Sequence, residues 1–551
     1  MKYLTPIEKF YEWEQKQPDK TFLRQAYKGQ WLHKSWAKAG QEIRSMAAYL
    51  NSLNLPPQSN IAIISKNCEH WVMSDLAIMM AGHVSVPLYP TIPADLIKYC
   101  LEHSNAKACF VGKLDDWSKQ RSGVPAGVHC ITYPLWTEQG EGYVFWDDII
   151  AKTPPMKESP VPNPDDVMTI IYTSGTTGLP KGVMHRYHSI SFAANNALGL
   201  IGELGPADRF FSYLPLSHIA ERALVEMGGL YSGGSLSFAE SLDTFAANLK
   251  DTKPTVFLAV PRIWTKFQMG ILSKMPQNRL DLLLKIPIVN NLIKKKIKEG
   301  LGLDEAKFLF SGAAPLPLVT MNWFEKLGFV IYEAYAMTEN CAYSHLNLPG
   351  KRKPGWVGQS LPHNDVRLSE EGEIQVKSDA IMIGYYKDDE RTKETIIDDG
   401  WLCTGDQGEI DTQGFLKITG RVKDIFKTDK GKYVAPAPIE NELSKNTLIE
   451  QVCVVGANLP QTMAMVVLSP DGKALEKTAV IYSLESTMHE VNKSLDKHEK
   501  MKKVIVVNEE WTVDNNLLTP TLKVKRNILE KQKEQFYPNW YNASETVVWE
   551  G

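Results

Sequence analysis

Apolar positions along this chain follow two rhythms. Between residues 60 and 335, short apolar and β-branched runs (IAIIS, VSVPLY, ACFVG, MTIIYTS, SLSF, TVFLAV, KFLFSG, FVIYEAY) alternate with segments of helical spacing. Runs of that length suit strands buried in a sheet, and helices laid on its faces cover them, so the alternation predicts a layered α/β body with largely parallel sheets. From 365 to 420 the texture changes to short alternating strands with glycine turns, as in VRLSEEGEIQVKS and GEIDTQGFLKITG, which predicts a small antiparallel sheet or barrel. The tail carries its own strand patterns (IEQVCVVG, AMVVLS, KVIVVN) and helices, enough for a separate small α+β domain. The expected organisation is a large domain over 1–422 and a small, mobile C-terminal domain over 423–551, joined at TGRVKDIFK without a low-complexity linker.

The first twenty residues mix acids and bases and lack the apolar core of an export signal, so they read as an amphipathic helix of the mature protein. The most apolar long stretch, residues 70–90, contains Asp75 and His83 and is punctuated by Gly82 and Pro87, which suits a buried helix followed by a strand better than a membrane span.

Composition narrows the function classes. At 551 residues the chain exceeds what one core usually serves, and 43% hydrophobic content fills at least two. A net charge of -3 gives no general field for nucleic acid, so any anion site is local. Seven cysteines without a CxxC pair argue for a reduced, cytoplasmic chain with neither a disulfide framework nor a metal cage.

The stretch IIYTSGTTGLPKGVMHR, residues 170–186, concentrates the chemistry. An apolar strand pattern breaks into Thr173, Ser174, Gly175, Thr176, Thr177 and Gly178, and Lys181 follows, ahead of a helical pattern near 188–200. Hydroxyls and glycines let backbone N–H groups approach an anion, and a lysine adds a point charge, so the loop suits a polyphosphate. It lacks the Gly-Lys-Ser/Thr of the P-loop. Three more polar motifs fall at ends of predicted elements: Thr338 and Glu339 in YEAYAMTEN, Asp406 in GWLCTGD, and Arg421 in TGRVKD. Taken singly, a helix cap, a turn residue or a solvated arginine explains each; their ordered combination points to a carboxylate for a hard cation and groups for a ribose.

The long ordered motifs YLPLSHIAER, SGAAPLP, KPGWVGQSLPHNDVRL, GEIQVKSDAIMIGYY, GWLCTGDQGEID, KTDKGKYVAPAPIE and LTPTLKVKR resemble the adenylate-forming superfamily, and within it the long-chain fatty acyl-CoA synthetases. The resemblance implies attack of a fatty carboxylate on the α-phosphate of ATP, release of pyrophosphate, and transfer of the acyl group to CoA. It places the loop 173–181 on the β- and γ-phosphates, Thr173 and Glu339 on Mg²⁺, Tyr335 on adenine, and Asp406 with Arg421 on the ribose. Lys523 becomes the lysine bridging carboxylate and α-phosphate, preferred over Lys525 because its spacing to Arg526 matches the family. Lys423 becomes the pivot of the small domain. His218 falls beside the carboxylate and thiol, with a structural hydrogen bond as its other reading, and Gly312 and Ala313 line the acyl site. Two departures stand out: Ala336 follows Tyr335 where glycine is usual, and Leu522 precedes the lysine. An adenylating enzyme for another carboxylate, or one serving a carrier-protein pantetheine, is the competing expectation.

One segment remains. LLLKIPIVNNLIKKKIKEGLGL, residues 282–303, pairs apolar residues with Lys294, Lys295, Lys296 and Lys298, as an interfacial helix or a solvated face would. The expectation is therefore a cytoplasmic enzyme, monomer or homodimer, with transient contact at a membrane surface.

Overall fold

A computed structural model describes residues 3–135, 142–173, 179–202, 204–513, 515–519 and 523–550. All eight strands read between 60 and 335 are present, and they divide between two sheets. One sheet runs, edge to edge, through Gly384–Tyr385, Lys181–Arg186, Val167–Thr173, Val84–Leu88, Asn60–Ile64, Ala108–Val111, His129–Thr132 and Val144–Phe145. Its six strands from Val167–Thr173 onward are parallel, and the first two pair antiparallel at one edge. The second sheet has a parallel centre from Ile331–Tyr335 to Thr21–Tyr27, flanked by antiparallel pairs. Its outermost strands, Thr21–Tyr27 and Gln30–Ser35, form a hairpin that the sequence reading did not anticipate.

Helix Glu69–Met80 has all twelve residues buried, as expected of a helix apolar around its circumference. Trp71, Leu76 and Met79 share one core with Ile61 and Phe110 of the first sheet and with Leu23, Phe210 and Phe238 of the second. The N-terminal helix Pro6–Lys16 closes this core with Ile7 and Phe10, and Thr5 and Glu8 cap it reciprocally.

Between the loop and the helix lies a strand that the sequence reading did not name: Lys181–Arg186 folds back on Val167–Thr173, with Thr173 opposite Lys181. Helix Tyr187–Leu198 then falls where the helical pattern near 188–200 predicted it. Lys181–Arg186 thus extends the sheet by one antiparallel strand, and Gly384–Tyr385 pairs on its far side. Ser174, Gly175, Thr176, Thr177 and Gly178 themselves lie outside the described residues.

Strands Asp365–Leu368, Glu373–Lys377, Trp401–Ile410, Ile396–Ile397 and Leu416–Arg421 make the small antiparallel sheet. The C-terminal part has its own four-stranded mixed sheet, Ile449–Val455, Thr462–Leu468, Met501–Val506 and Val547–Trp549, with a separate core on each face.

Candidate functional site

Strand Ile331–Tyr335 ends in a tight turn. Thr338–Asn340 make one 3₁₀ turn, after which Cys341 and Ala342 both take left-handed conformations, φ 55° each. Non-glycine residues in that region cost roughly 1 kcal/mol or more, so a turn that keeps two of them is held by its surroundings. Asn340 Oδ1 accepts the Met337 N–H at 2.9 Å, the Thr338 carbonyl accepts from Cys341, and the same carbonyl accepts from His185 Nε2 at 2.7 Å. His185, fully buried, therefore carries its proton on Nε2, and burial lowers its pKa to about 4.

This turn aims Glu339. Its Oε1 accepts from the Tyr385 hydroxyl at 2.8 Å, and the Tyr385 ring lies 4.6 Å beneath Lys181 Nζ. Tyr385 is placed by the pairing of Gly384 and Tyr385 with Met184 and Val183, on the strand that Lys181 opens. Burial lowers the Lys181 pKa, and Arg391 and Lys423 add to the effect while Glu339 opposes it. Thr173, opposite Lys181 at the base of the hairpin, completes this corner. Its donors are all oxygens, one carboxylate and hydroxyls, and no group of three or more metal-binding side chains occurs among the described residues. Such a set fits a cation held largely by substrate phosphates and water, as Mg²⁺ usually is.

A second corner joins Asp406, Arg421 and Tyr335. Asp406 and Arg421 face one another in register across two strands of the small sheet. Asp406 Oδ1 accepts from Arg421 Nε at 2.9 Å, and Oδ2 accepts from the Tyr335 hydroxyl at 2.9 Å. Gly405, at φ 72°, supplies the left-handed step that turns Asp406 into the cleft, a conformation a side chain would strain.

Lys523 arrives from the C-terminal part. Leu518 and Val524 bridge across a loop, and Lys523 N–H donates to Thr519 Oγ1 at 3.1 Å. Burial lowers its pKa; Arg421 adds to that shift, and Asp406 and Glu339 counter it. Lys525 instead binds Asn516 Oδ1 locally, and Arg526 serves the C-terminal core through Glu440 and the Val454 carbonyl. Leu522 lies outside the described residues.

On the acyl side, His218 caps a short helix: its Nδ1 accepts the Ala220 N–H at 3.2 Å. That bond fixes the proton of a neutral ring on Nε2. Burial lowers its pKa to about 4, and the Lys523 charge contributes. The structural hydrogen bond read for His218 is thus present, and the Lys523 charge is felt at its ring. Ala313, two residues beyond strand Phe308–Ser311, is left-handed at φ 67°, and a Cβ on Gly312 would meet the Ala334 carbonyl at 3.3 Å, so the backbones approach closely there.

Sequence reasoning missed Tyr385 and His185. Both stand in stretches it had quoted, but their partners lie 46 and 153 residues away, and only the sheet pairing reveals them.

Two stacked α/β sheets, a small antiparallel sheet and a separate C-terminal domain together form the architecture of the adenylate-forming enzymes. The chain belongs to the AMP-binding enzyme family: residues 10–386 match its family model, and residues 423–544 match that of its C-terminal domain. It is 32% identical to the peroxisomal long chain acyl-CoA synthetase 6 of Arabidopsis thaliana, covering 90% of this chain and 80% of that protein. It is 28% identical to a long-chain-fatty-acid–CoA ligase of Mycobacterium tuberculosis, over 95% and 94% of the two chains. Among solved structures, ATP-bound MatB from Rhodopseudomonas palustris superposes with a TM-score of 0.77 at 26% identity, over 97% of this chain and all of that one. The adenylation domain of a carboxylate reductase from Mycobacterium chelonae superposes at 0.81 with 22% identity, over 98% and 91%, which speaks for the fold. No helix among the described residues is long and apolar enough to cross a membrane.

Proposed function

We propose that this chain is an ATP-dependent long-chain fatty acid:CoA ligase. What supports the reading is the Asp406–Arg421–Tyr335 bond set and the Glu339–Tyr385 bond beside Lys181, whose charged groups Arg421, Asp406 and Glu339 are all felt at Lys523 of the C-terminal part. A carboxylate oxygen of the fatty acid attacks the α-phosphorus of ATP, and the bond to the β-phosphate oxygen breaks to release pyrophosphate. The CoA sulfur then attacks the acyl carbon, and AMP leaves.

We assign the roles as the family resemblance implies them. Lys181 with the loop Ser174–Gly178 receives the outer phosphates. Glu339 and Thr173 would hold Mg²⁺, which when bound neutralises phosphate charge. Thr338 anchors the turn that aims Glu339. Tyr335 flanks the base while its hydroxyl fixes Asp406, and Asp406 and Arg421 take the ribose. Lys523 meets charge developing between carboxylate and α-phosphate, where one preorganised group is typically worth about 3 to 4 kcal/mol. His218 presents Nε2–H toward the carboxylate, and Gly312 and Ala313 let the chain pass close to backbone.

One small domain cannot both present Lys523 and open a thiol channel. We therefore divide the chain at 422/423 and assign the pivot to Lys423, whose charge is felt at Lys181. The reaction's cosubstrates and the free cysteines suit a cytoplasmic setting, and its apolar substrate suits passing contact with a membrane surface.

Product analysis with ATP and palmitate, offered either CoA or a holo carrier protein, tests the reading. Palmitoyl-CoA, AMP and pyrophosphate in equal amounts are expected. Acyl transfer to the carrier but not to CoA would overturn it.

A further inference from the structure

Helices Gln277–Leu284 and Pro287–Leu301 form a corner of the large domain. Inward, Leu280 is buried, and Leu284, Ile293, Ile297 and Leu301 pack on the core containing Trp264, Phe324 and Phe329. Outward, Leu282, Ile286, Ile288 and Leu292 are all exposed, Ile288 to 86% and Leu282 to 62%. Scattered exposed apolar residues need no explanation; four within residues 282–292 do. Ile288 and Leu292 stand one helical turn apart, and the exposed Lys295 and Lys296 continue that face.

The charge of the corner opposes that of the chain. Residues 277–301 carry six basic side chains (Arg279, Lys285, Lys294, Lys295, Lys296, Lys298) and two acidic ones, while the whole chain is -3. Asp281 is engaged by Gln277, and Glu299 lies 3.8 Å from Lys295. Lys298 turns inward to the Gly328 carbonyl, leaving the other lysines to face outward around the apolar tip.

We propose that this corner docks on the surface of an anionic lipid bilayer, with Leu282, Ile286, Ile288 and Leu292 entering the headgroup boundary and Lys285, Lys294, Lys295 and Lys296 meeting lipid phosphates. Apolar tips ringed by lysines are the arrangement that interfacial helices use. A second copy of the chain is disfavoured, because a two-fold contact would set one lysine cluster against the other. A peptide is disfavoured as well, since the apolar side chains protrude and form no groove to grip one. The purpose of docking, though not the contact itself, rests on the fatty-acid reading: a membrane-resident acid would be collected where it resides.

Co-sedimentation of the full chain with vesicles, without ATP, CoA or fatty acid, tests this apart from catalysis. Vesicles of phosphatidylcholine mixed with phosphatidylglycerol should bind the protein, and phosphatidylcholine alone should not. High salt should weaken the binding. Losing two surface lysine contacts lowers partitioning about 25-fold, so Lys295→Glu with Lys296→Glu should do at least that, and Ile288→Ser with Leu292→Ser should weaken it too. Both double variants should keep turnover on detergent-dispersed acid. Equal binding to neutral vesicles, or binding indifferent to both double variants, would overturn the proposal. So would lipid-free self-association abolished by Ile288→Ser, which would assign the face to a second copy. A protein that docks yet forms no acyl-CoA upholds the docking and sinks the ligase reading.

Discussion

Two arginine–carboxylate clusters in this chain have similar geometry and opposite exposure. Arg222 opens a π-helical turn, Arg222–Glu226, and is 1% exposed. It donates to Asp75 Oδ1 and Thr169 Oγ1 at 2.7 Å each and to Glu226 Oε2 at 3.3 Å. Burial, with the Asp75 charge beside it, pushes the Glu226 carboxyl well above the usual range, so one arginine balances one carboxylate there. Arg421 also binds a carboxylate, Asp406, at 2.9 Å, but 44% of its side chain stays accessible. The first cluster spends its hydrogen bonds on the protein and holds helices to sheet; the second keeps an open edge. What separates the structural ion cluster from the pair we propose for the ribose is access to solvent.

The largest effect should come from breaking the closed cluster. Arg222→Met leaves Asp75 buried beside Glu226 without a cation and should cost about 3–5 kcal/mol in urea unfolding. Arg421→Met should cost under about 1 kcal/mol, because an accessible pair is worth little, while sharply lowering AMP formation. Equal stability losses would erase the contrast. Lys523→Ala sharpens it from the open side: adenylation should fall about 10²- to 10³-fold, with supplied acyl-adenylate still passing its acyl group to CoA. Equal loss of both half-reactions would remove Lys523 from the role.

Acid tests the closed side differently. His185 and His345 are 0% and 2% exposed, and burial lowers their pKa values to about 4 and about 3. Unfolded, each binds a proton near pH 6.5, so the unfolded chain gains protons that the folded chain refuses. Stability is therefore complete above pH 6.5 and falls as pH drops toward 4, by about 1.4 kcal/mol per unit for each histidine. His345→Gln should flatten the urea-derived slope between pH 6 and 4.5 by about that amount; an unchanged slope would show that the ring titrates normally.

How much of this was legible in the sequence depended on range. The eight strands declared themselves because each carries its own apolar run, and Glu339, Asp406 and Arg421 stood out because each sits in a compact polar motif, although Asp406 lies inside strand Trp401–Ile410 rather than at its end. The N-terminal hairpin did not, since Gln30–Ser35 is an edge strand without buried residues and its pattern is polar. The strand after Lys181 was hidden because six residues are too few to distinguish from the start of the helix that follows. Tyr385 was hidden because a two-residue strand acquires its address from its partner. Removing its hydroxyl leaves Glu339 without a neutral donor while keeping the ring under Lys181. Tyr385→Phe should weaken Mg²⁺-ATP binding in calorimetry about tenfold, the scale of one hydrogen bond to a charged group, with stability nearly unchanged. Unaltered binding would reduce Tyr385 to packing.

The smallest expected effect concerns how the two parts meet. Arg262, from the helix Pro261–Lys274 of the large domain, pairs with Glu450 on the first strand of the C-terminal sheet. Their side chains are 50% and 23% exposed, so the pair belongs to the open class and should contribute only about 0.2–1 kcal/mol. In an arrangement that brings Lys523 toward Asp406, even that amount is directional: it favours this pose over any in which the small domain has turned at Lys423. Arg262→Ala should therefore leave unfolding almost unchanged, slow pyrophosphate exchange by no more than about fivefold, and leave thioester formation from supplied acyl-adenylate equal or faster. High salt should produce the same shift in the unsubstituted protein and little further change in the variant. If thioester formation slowed as much as pyrophosphate exchange, the pair would favour neither pose, and its place between the domains would be packing rather than a bias on their rotation.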